Sequence, residues 1–169
     1  MRSSIAIDVS APGSRVFDLA RDLRDWPRLL PHYRAARVTP GTDGHVVALL
    51  VAIRPIGRSA SFGVPVAWRA EQWTESDDDD DLRLRFRHVR GVTAGMDVTW
   101  HIRPAPDGCR VTIVHDFRRP LPIVGDELLP RLVERLFTRP IAGRTLRRFK
   151  ALAEAPAEAP AEAPTEAPA

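Results

Sequence analysis

Hydrophobic and polar residues alternate one for one along much of this chain. Leu82, Leu84, Phe86 and His88 fall on one side of a segment, with Arg83, Arg85 and Arg87 on the other. Met96, Val98, Trp100 and Ile102 repeat the pattern, and Val111, Ile113, His115 and Phe117 repeat it again. Period 2 with one apolar side predicts strands of an antiparallel sheet with one face on a core and one in water. Pro104-Ala-Pro-Asp-Gly108 separates the last two segments. Proline fixes φ and Asp-Gly tolerates positive φ, so a turn is expected there. The apolar face carries two histidines and a tryptophan, which points to a cavity wall rather than a closed core.

The same reading extends outwards. Residues 3–9 alternate, with Ile5, Ile7 and Val9 on one side. Pro12 then suits a first helical turn, and Val16, Phe17, Leu19, Ala20 and Leu23 form a helical stripe. Asp25 is placed to cap a second short helix, with Pro27 near its start and Pro31 at its end. Strands are predicted over 33–39, over 45–54 with Val47, Leu49, Val51 and Ile53 on one face, and over 59–75. In the last of these Phe62, Val64, Val66 and Trp68 share a face. Gly63 and Pro65 argue for an edge or bulge there, and Trp73 falls out of register. Five aspartates at 77–81 read as a solvated turn, because consecutive carboxylates cannot converge on one calcium ion.

Helical periodicity covers 127–154. Leu129, Leu132, Val133, Leu136 and Phe137 make one stripe, and Ile141, Leu146, Phe149 and Leu152 continue it. Pro140 is expected to kink this helix. Ala-Glu-Ala-Pro repeats follow. Proline every fourth residue forbids a helix and nothing there can build a core, so 154–169 is expected to be a disordered tail behind one domain at 1–153. The predicted class is α+β: a curved antiparallel sheet of about seven strands around a long C-terminal helix, with two short helices after the first strand.

Composition narrows the function classes. The net charge is +3, yet Lys150 is the sole lysine and the arginines alternate along strands or stud a helix. Nucleic-acid patches mix the two and interleave aromatics, so no nucleic-acid partner is expected. The longest apolar run, 46–53, is far too short to span a bilayer, and the N-terminus has no hydrophobic signal core. No stable membrane insertion and a cytoplasmic location are expected. Cys109 stands alone, which removes disulfides and cysteine metal clusters. The five histidines show no ligand spacing, so neither a metal nor another cofactor is expected.

Several motifs together resemble the helix-grip fold of the START-like superfamily, and within it the polyketide cyclase/dehydrase family. They are Ile5-x-Ile-x-Val-x-Ala-Pro with Val16-Phe17, Asp25-Trp26-Pro27-x-Leu-Leu-Pro-x-Tyr33 and Trp68-x-x-Glu71-Gln72. Gly95-Met96-x-Val-x-Trp100, Val111-Thr-Ile and Thr145-Leu-x-x-Phe-Lys150 complete the set. Coenzyme Q-binding proteins of the superfamily share much of it. The resemblance implies a pocket for an elongated, largely apolar molecule. In the aromatase/cyclases it implies aldol cyclisation and dehydration of a poly-β-ketone, with an acyl carrier protein as partner. The family's tyrosine after the second short helix corresponds to Tyr33. Its catalytic arginine, before a Trp-x-Trp pair, has no counterpart in Phe62-Gly-Val-Pro-Val-Ala-Trp68.

Aldol chemistry needs a base, an oxyanion donor and a dry pocket. His88 and His115 are the candidate acid/base groups, since histidine titrates near neutrality and both share parity with inward apolar residues. Tyr33 is the candidate donor to a ligand carbonyl. Trp26, Val66, Trp68, Phe86, Met96, Val98, Trp100, Ile113, Leu136 and Phe137 are the candidate ligand-binding residues. A carrier of lipid, quinone or polyketide would use the same residues only to anchor a polar head.

Overall fold

The computed structural model describes residues 2–55, 63–76, 81–91, 93–117, 135 and 138–156. Seven strands form one antiparallel sheet: β1 (Arg2–Val9), β2 (Tyr33–Pro40), β3 (Val46–Pro55), β4 (Gly63–Ser76), β5 (Leu82–Gly91), β6 (Met96–Ala105) and β7 (Gly108–Phe117). Their order is β1-β7-β6-β5-β4-β3-β2, so β1 and β2 are the edges. Helix α1 (Gly13–Arg21), a 3-10 turn (Leu23–Asp25) and α2 (Trp26–Leu29) connect the two edge strands. Helix α3 (Arg139–Glu154) packs on the concave face. This is the α+β helix-grip arrangement that the alternation predicts.

The inner face follows the expected parity on β5, β6 and β7. Leu84, Phe86, Val98, Trp100, Ile102, Val111 and Ile113 are all buried. Trp26 joins the layers. Its ring centroid lies 4.9 Å from Tyr33, 6.1 Å from Phe86, 6.2 Å from Trp100 and 6.0 Å from Phe149 of α3. Its indole N–H donates to Ala20 O at 3.1 Å, so this buried polar atom is satisfied.

Several expectations are refined. On β3 the inward residues are Ala48, Leu50 and Ala52, while Val47, Leu49, Val51 and Ile53 lie half-buried on the other face. Ala52 is small where the bulky Tyr33 opposes it, while Leu50 pairs with Trp68. Trp73 covers the outer face, stacked on His45 at 4.7 Å with the Arg85 and Arg87 guanidiniums at 5.9 and 5.8 Å. Asp25 stands at the N-cap of α2 without capping it; its carboxylate pairs with Arg28 at 3.0 Å. Pro140 occupies the first turn of α3, where its missing N–H is harmless. The 127–134 stretch, the start of the predicted fourth strand, and Leu136 and Phe137 lie outside the described residues.

The aspartate run needs a correction at its last member. Asp81 is largely buried, not solvated: it accepts from Arg83 Nη2 at 2.7 Å and Arg103 Nη2 at 3.3 Å. Arg83 and Arg103 project from the outer face of β5 and β6, so the carboxylate is drawn over that face.

Strand β4 outruns its neighbour. It pairs with β3 from Gly63, but with β5 only from Trp68. Residue 89 is skipped in the β4–β5 register, a bulge that leaves Val89 exposed. Gly91 ends β5 at φ +98°, and a Cβ there would meet Ala67 O at 2.5 Å. Only glycine fits both the conformation and the space.

Candidate functional site

A cavity of about 80 Å³ lies between the sheet and α3. Trp26, Tyr33, Val66, Trp68, Phe86, His88, Met96, Val98, Trp100, Ile113 and His115 line it. Every candidate named from the sequence is therefore on one void, apart from Leu136 and Phe137, which fall outside the described residues. Leu50, Thr93, Thr138, Ile141, Ala142 and Thr145 also line it and were not expected. The volume equals roughly six water sites, well below the ~300 Å³ at which ordinary ligand pockets begin.

The two histidines reach the cavity from different strands. His115 on β7 opposes Val98 of β6, which opposes Phe86, two residues before His88 on β5. His88 Nδ1 is 2.6 Å from Thr93 Oγ1, and its ring stacks on Trp68 at 5.8 Å. Thr93 is delivered by the β5–β6 turn, which closes with Gly95 N donating to His88 O at 2.8 Å. Burial, then the charge of His115, holds the His88 imidazole at about 3. Burial alone holds His115 at about 4. Both rings are neutral at pH 7, because no carboxylate accompanies them into the apolar wall.

Tyr33 is buried, and burial raises its phenol, with a Thr145 hydrogen bond offsetting part of the rise. Thr145 gathers three groups. Its hydroxyl donates to Ile141 O at 3.0 Å, and its oxygen lies 3.0 Å from His32 Nε2. With that proton committed to Ile141, the His32 Nε2–H donates to Thr145. Burial lowers His32 to about 4, and Arg144 and Arg147 push in the same direction.

Two cavity groups have no hydrogen-bond partner among the described residues: Trp68 Nε1 and Thr138 Oγ1. Buried polar atoms are nearly always satisfied, so these two stand out. Thr145 was legible as a hydroxyl within the apolar stripe of α3. Thr93 and Thr138 sit where no periodicity applies.

A family model for polyketide cyclase/dehydrase and lipid transport matches residues 1–154. The chain belongs to that family. The actinorhodin polyketide synthase bifunctional cyclase/dehydratase of Streptomyces coelicolor, a family relative, is 28% identical over 151 residues. The match takes in 85% of this chain and 41% of the relative, so the chain spans about two fifths of that protein's length. Among solved structures, the Zhui aromatase/cyclase of a Streptomyces species superposes with a TM-score of 0.67 at 14% identity, covering 91% of this chain and 93% of that one. A START superfamily protein from Mycobacterium smegmatis gives 0.63 at 13% identity, covering 90% and 97%. These two likenesses establish the helix-grip fold. No helix among the described residues is long and apolar enough to cross a membrane.

Proposed function

We propose that this chain binds a largely apolar molecule bearing carbonyl or hydroxyl oxygens in the cavity under α3, in the manner of a polyketide cyclase. The observation that carries this reading is the company of Trp68 Nε1 and Thr138 Oγ1, without hydrogen-bond partners among the described residues, on a void lined mainly by apolar side chains with His88, His115, Thr93 and Thr145 among them. An indole N–H can only donate, so its partner must be an acceptor. A poly-β-ketone offers a carbonyl at alternate carbons and apolar carbon between.

In the cyclase version, His115 removes a proton from a carbon flanked by two carbonyls. The enolate carbon bonds to a carbonyl carbon further along. The new alkoxide takes a proton, and its oxygen leaves as water with a neighbouring hydrogen to form the double bond. Tyr33 and Trp68 Nε1 stabilise the oxyanion by hydrogen bonds, and His88, oriented by Thr93, is the second proton carrier. The elongated remainder of the chain extends beyond the 80 Å³ now enclosed, and an acyl carrier protein presents it.

A carrier reading is favoured by two specific observations. Imidazoles held at about 3 and 4 are weak bases at pH 7. The segment 62–68 also has no arginine where the aromatase/cyclases place theirs. In that version the same donors anchor the head of a lipid, quinone or finished polyketide.

Intrinsic tryptophan fluorescence tests both, because Trp26, Trp68 and Trp100 line the cavity. A β-polyketone thioester should quench it saturably, and Trp68→Phe should weaken binding about tenfold, the equivalent of one lost hydrogen bond. Product formation that falls about 10²-fold or more in His115→Ala identifies the cyclase. Binding without turnover identifies the carrier. No saturable binding of the thioester, a quinone or a fatty acid defeats both.

A further inference from the structure

Behind the His32 ring, on the side away from the cavity, lies a second concavity of about 630 Å³. It runs between α3 and the start of β2. Arg144, Arg147 and Arg148 line it from one face of α3, their spacing of three and four bringing them to the same side. Arg34 reaches it from β2, and Ile53 adds apolar wall.

Arg34 owes its place to a bulge. Tyr33 pairs with Ala52 and Ala35 with Val51, so Arg34 has no opposite residue on β3. Bulges of this kind re-aim a side chain and concentrate beside binding sites. Arg148 is fixed from within, its Nε donating to Leu29 O at 3.0 Å, which leaves both terminal nitrogens for the groove.

The charge here is unbalanced. Elsewhere Arg21, Arg28, Arg83, Arg87 and Arg110 each face a carboxylate within 3.2 Å. None of the four groove arginines has a carboxylate partner among the described residues. Their combined field reaches His32, which Arg144 and Arg147 help to keep neutral. Like charges held together without counter-charge repel, and an incoming anion relieves that repulsion.

We propose that this groove binds the phosphate of an organic phosphate monoester, with the four guanidiniums on the phosphoryl oxygens and the ester's carbon against Ile53. Guanidinium forks match phosphate oxygens two at a time, and a phosphate has enough oxygens to engage several forks where a single carboxylate engages one or two. Among the described residues the one aromatic ring on the groove is the buried His32, too little for successive bases to stack on, which separates it from a single-strand nucleic-acid site. Among the described residues the exposed large hydrophobics are Val64 and Val89, neither on this groove, which separates it from a membrane-binding face.

The site also touches the cavity. His32 lines the groove, and its Nε2 bonds Thr145, which lines the cavity. A dianion beside Arg144 and Arg147 offsets their charge and raises the His32 proton affinity. Groove occupancy is therefore readable at a ring one hydrogen bond away from a cavity-lining threonine.

The test uses the full chain and NMR of the His32 imidazole during titration with hexyl phosphate, at constant ionic strength set with chloride. The expected result is saturable binding with an upward shift in the His32 titration midpoint, both weakened about tenfold or more in Arg144→Gln/Arg147→Gln. Arg34→Gln should weaken binding by a smaller factor, and Arg110→Gln, on the far edge, should leave it unchanged. These arginines are at most half-buried, so the variants are expected to fold, and an unchanged thermal melt checks that. A response no larger than that to chloride, or equal in the double variant, overturns the site. Inorganic phosphate binding as tightly as hexyl phosphate overturns its assignment to an organic ester.

Discussion

Strands β5, β6 and β7 carry ionisable groups on both faces, and the two faces handle them in opposite ways. On the inner face His88 and His115 are buried with no counter-charge, and both imidazoles are held neutral. On the outer face burial alone would raise the Asp81 carboxyl, but Arg83 and Arg103 outweigh it and hold it below its usual range. His101, 3.8 Å from Asp81, is lowered by burial against the pull of that carboxylate. Burial is common to both faces. What differs is whether an opposite charge was buried too. Neutral donors and acceptors result on one side, suited to meeting a ligand; fixed charges result on the other, suited to holding strands in register.

The largest test of this contrast is pH. The folded imidazoles of His88 and His115 lie below the ordinary 6.5. The unfolded chain therefore binds protons first as pH falls. Their stabilising effect is complete above about 6.5 and is lost progressively down to about 3–4, on the order of 2 kcal/mol for each ring by pH 5. Urea unfolding at pH 7, 6, 5 and 4.5 should show the fall. His115→Leu should flatten its slope by up to about 1.4 kcal/mol per pH unit. An unchanged slope in that variant breaks the inner half of the comparison.

The next effect is on the outer face. Asp81→Asn removes the carboxylate that Arg83 and Arg103 share and should cost about 1–2 kcal/mol at pH 7. The sign of its pH dependence follows from a lowered folded value. The Asp81 contribution is present above the ordinary carboxylate range and disappears as pH falls through that lowered value. Wild type and variant should thus converge in acid; a constant gap means that packing, not charge, was lost. The smallest effect belongs to the exposed Asp8–Arg110 pair at 2.7 Å. Asp8→Asn should change stability by less than about 1 kcal/mol, and less still in 1 M salt.

The parts of the molecule that were legible beforehand are those where one periodicity governs many residues. Leu84, Phe86, Trp100 and Ile113 could be assigned to a face because any slip of register would expose all of them together. Parity misleads on β3, where both faces are apolar. The bulk of Tyr33 opposite Ala52 shows which face turns inward there. At the site, His88 and His115 stood out as polar residues in an apolar rhythm. Thr93 did not, since a turn has no rhythm and its contact depends on how Gly91 bends the chain. Nor did Asp81, whose environment is set by arginines 2 and 22 residues further along the chain. Pairing between charges at variable separation leaves no pattern to read.

The overhang of β4 past β5 has a consequence for how copies of this protein meet. Residues 63–67 are bonded to β3 on one side and have no strand on the other among the described residues. Such an edge is a template on which another chain can add a strand, and Val64 on it is 42% exposed. Pro65 stands in the middle of it. Pairing with β3 continues past Pro65 without a shift, as it does when the absent N–H lies on the open side. A docking strand would find a donor missing at the centre of a five-residue edge. Among the described residues one absent hydrogen thus makes this rim a poorer template for strand addition, and Pro65→Val would restore the missing donor.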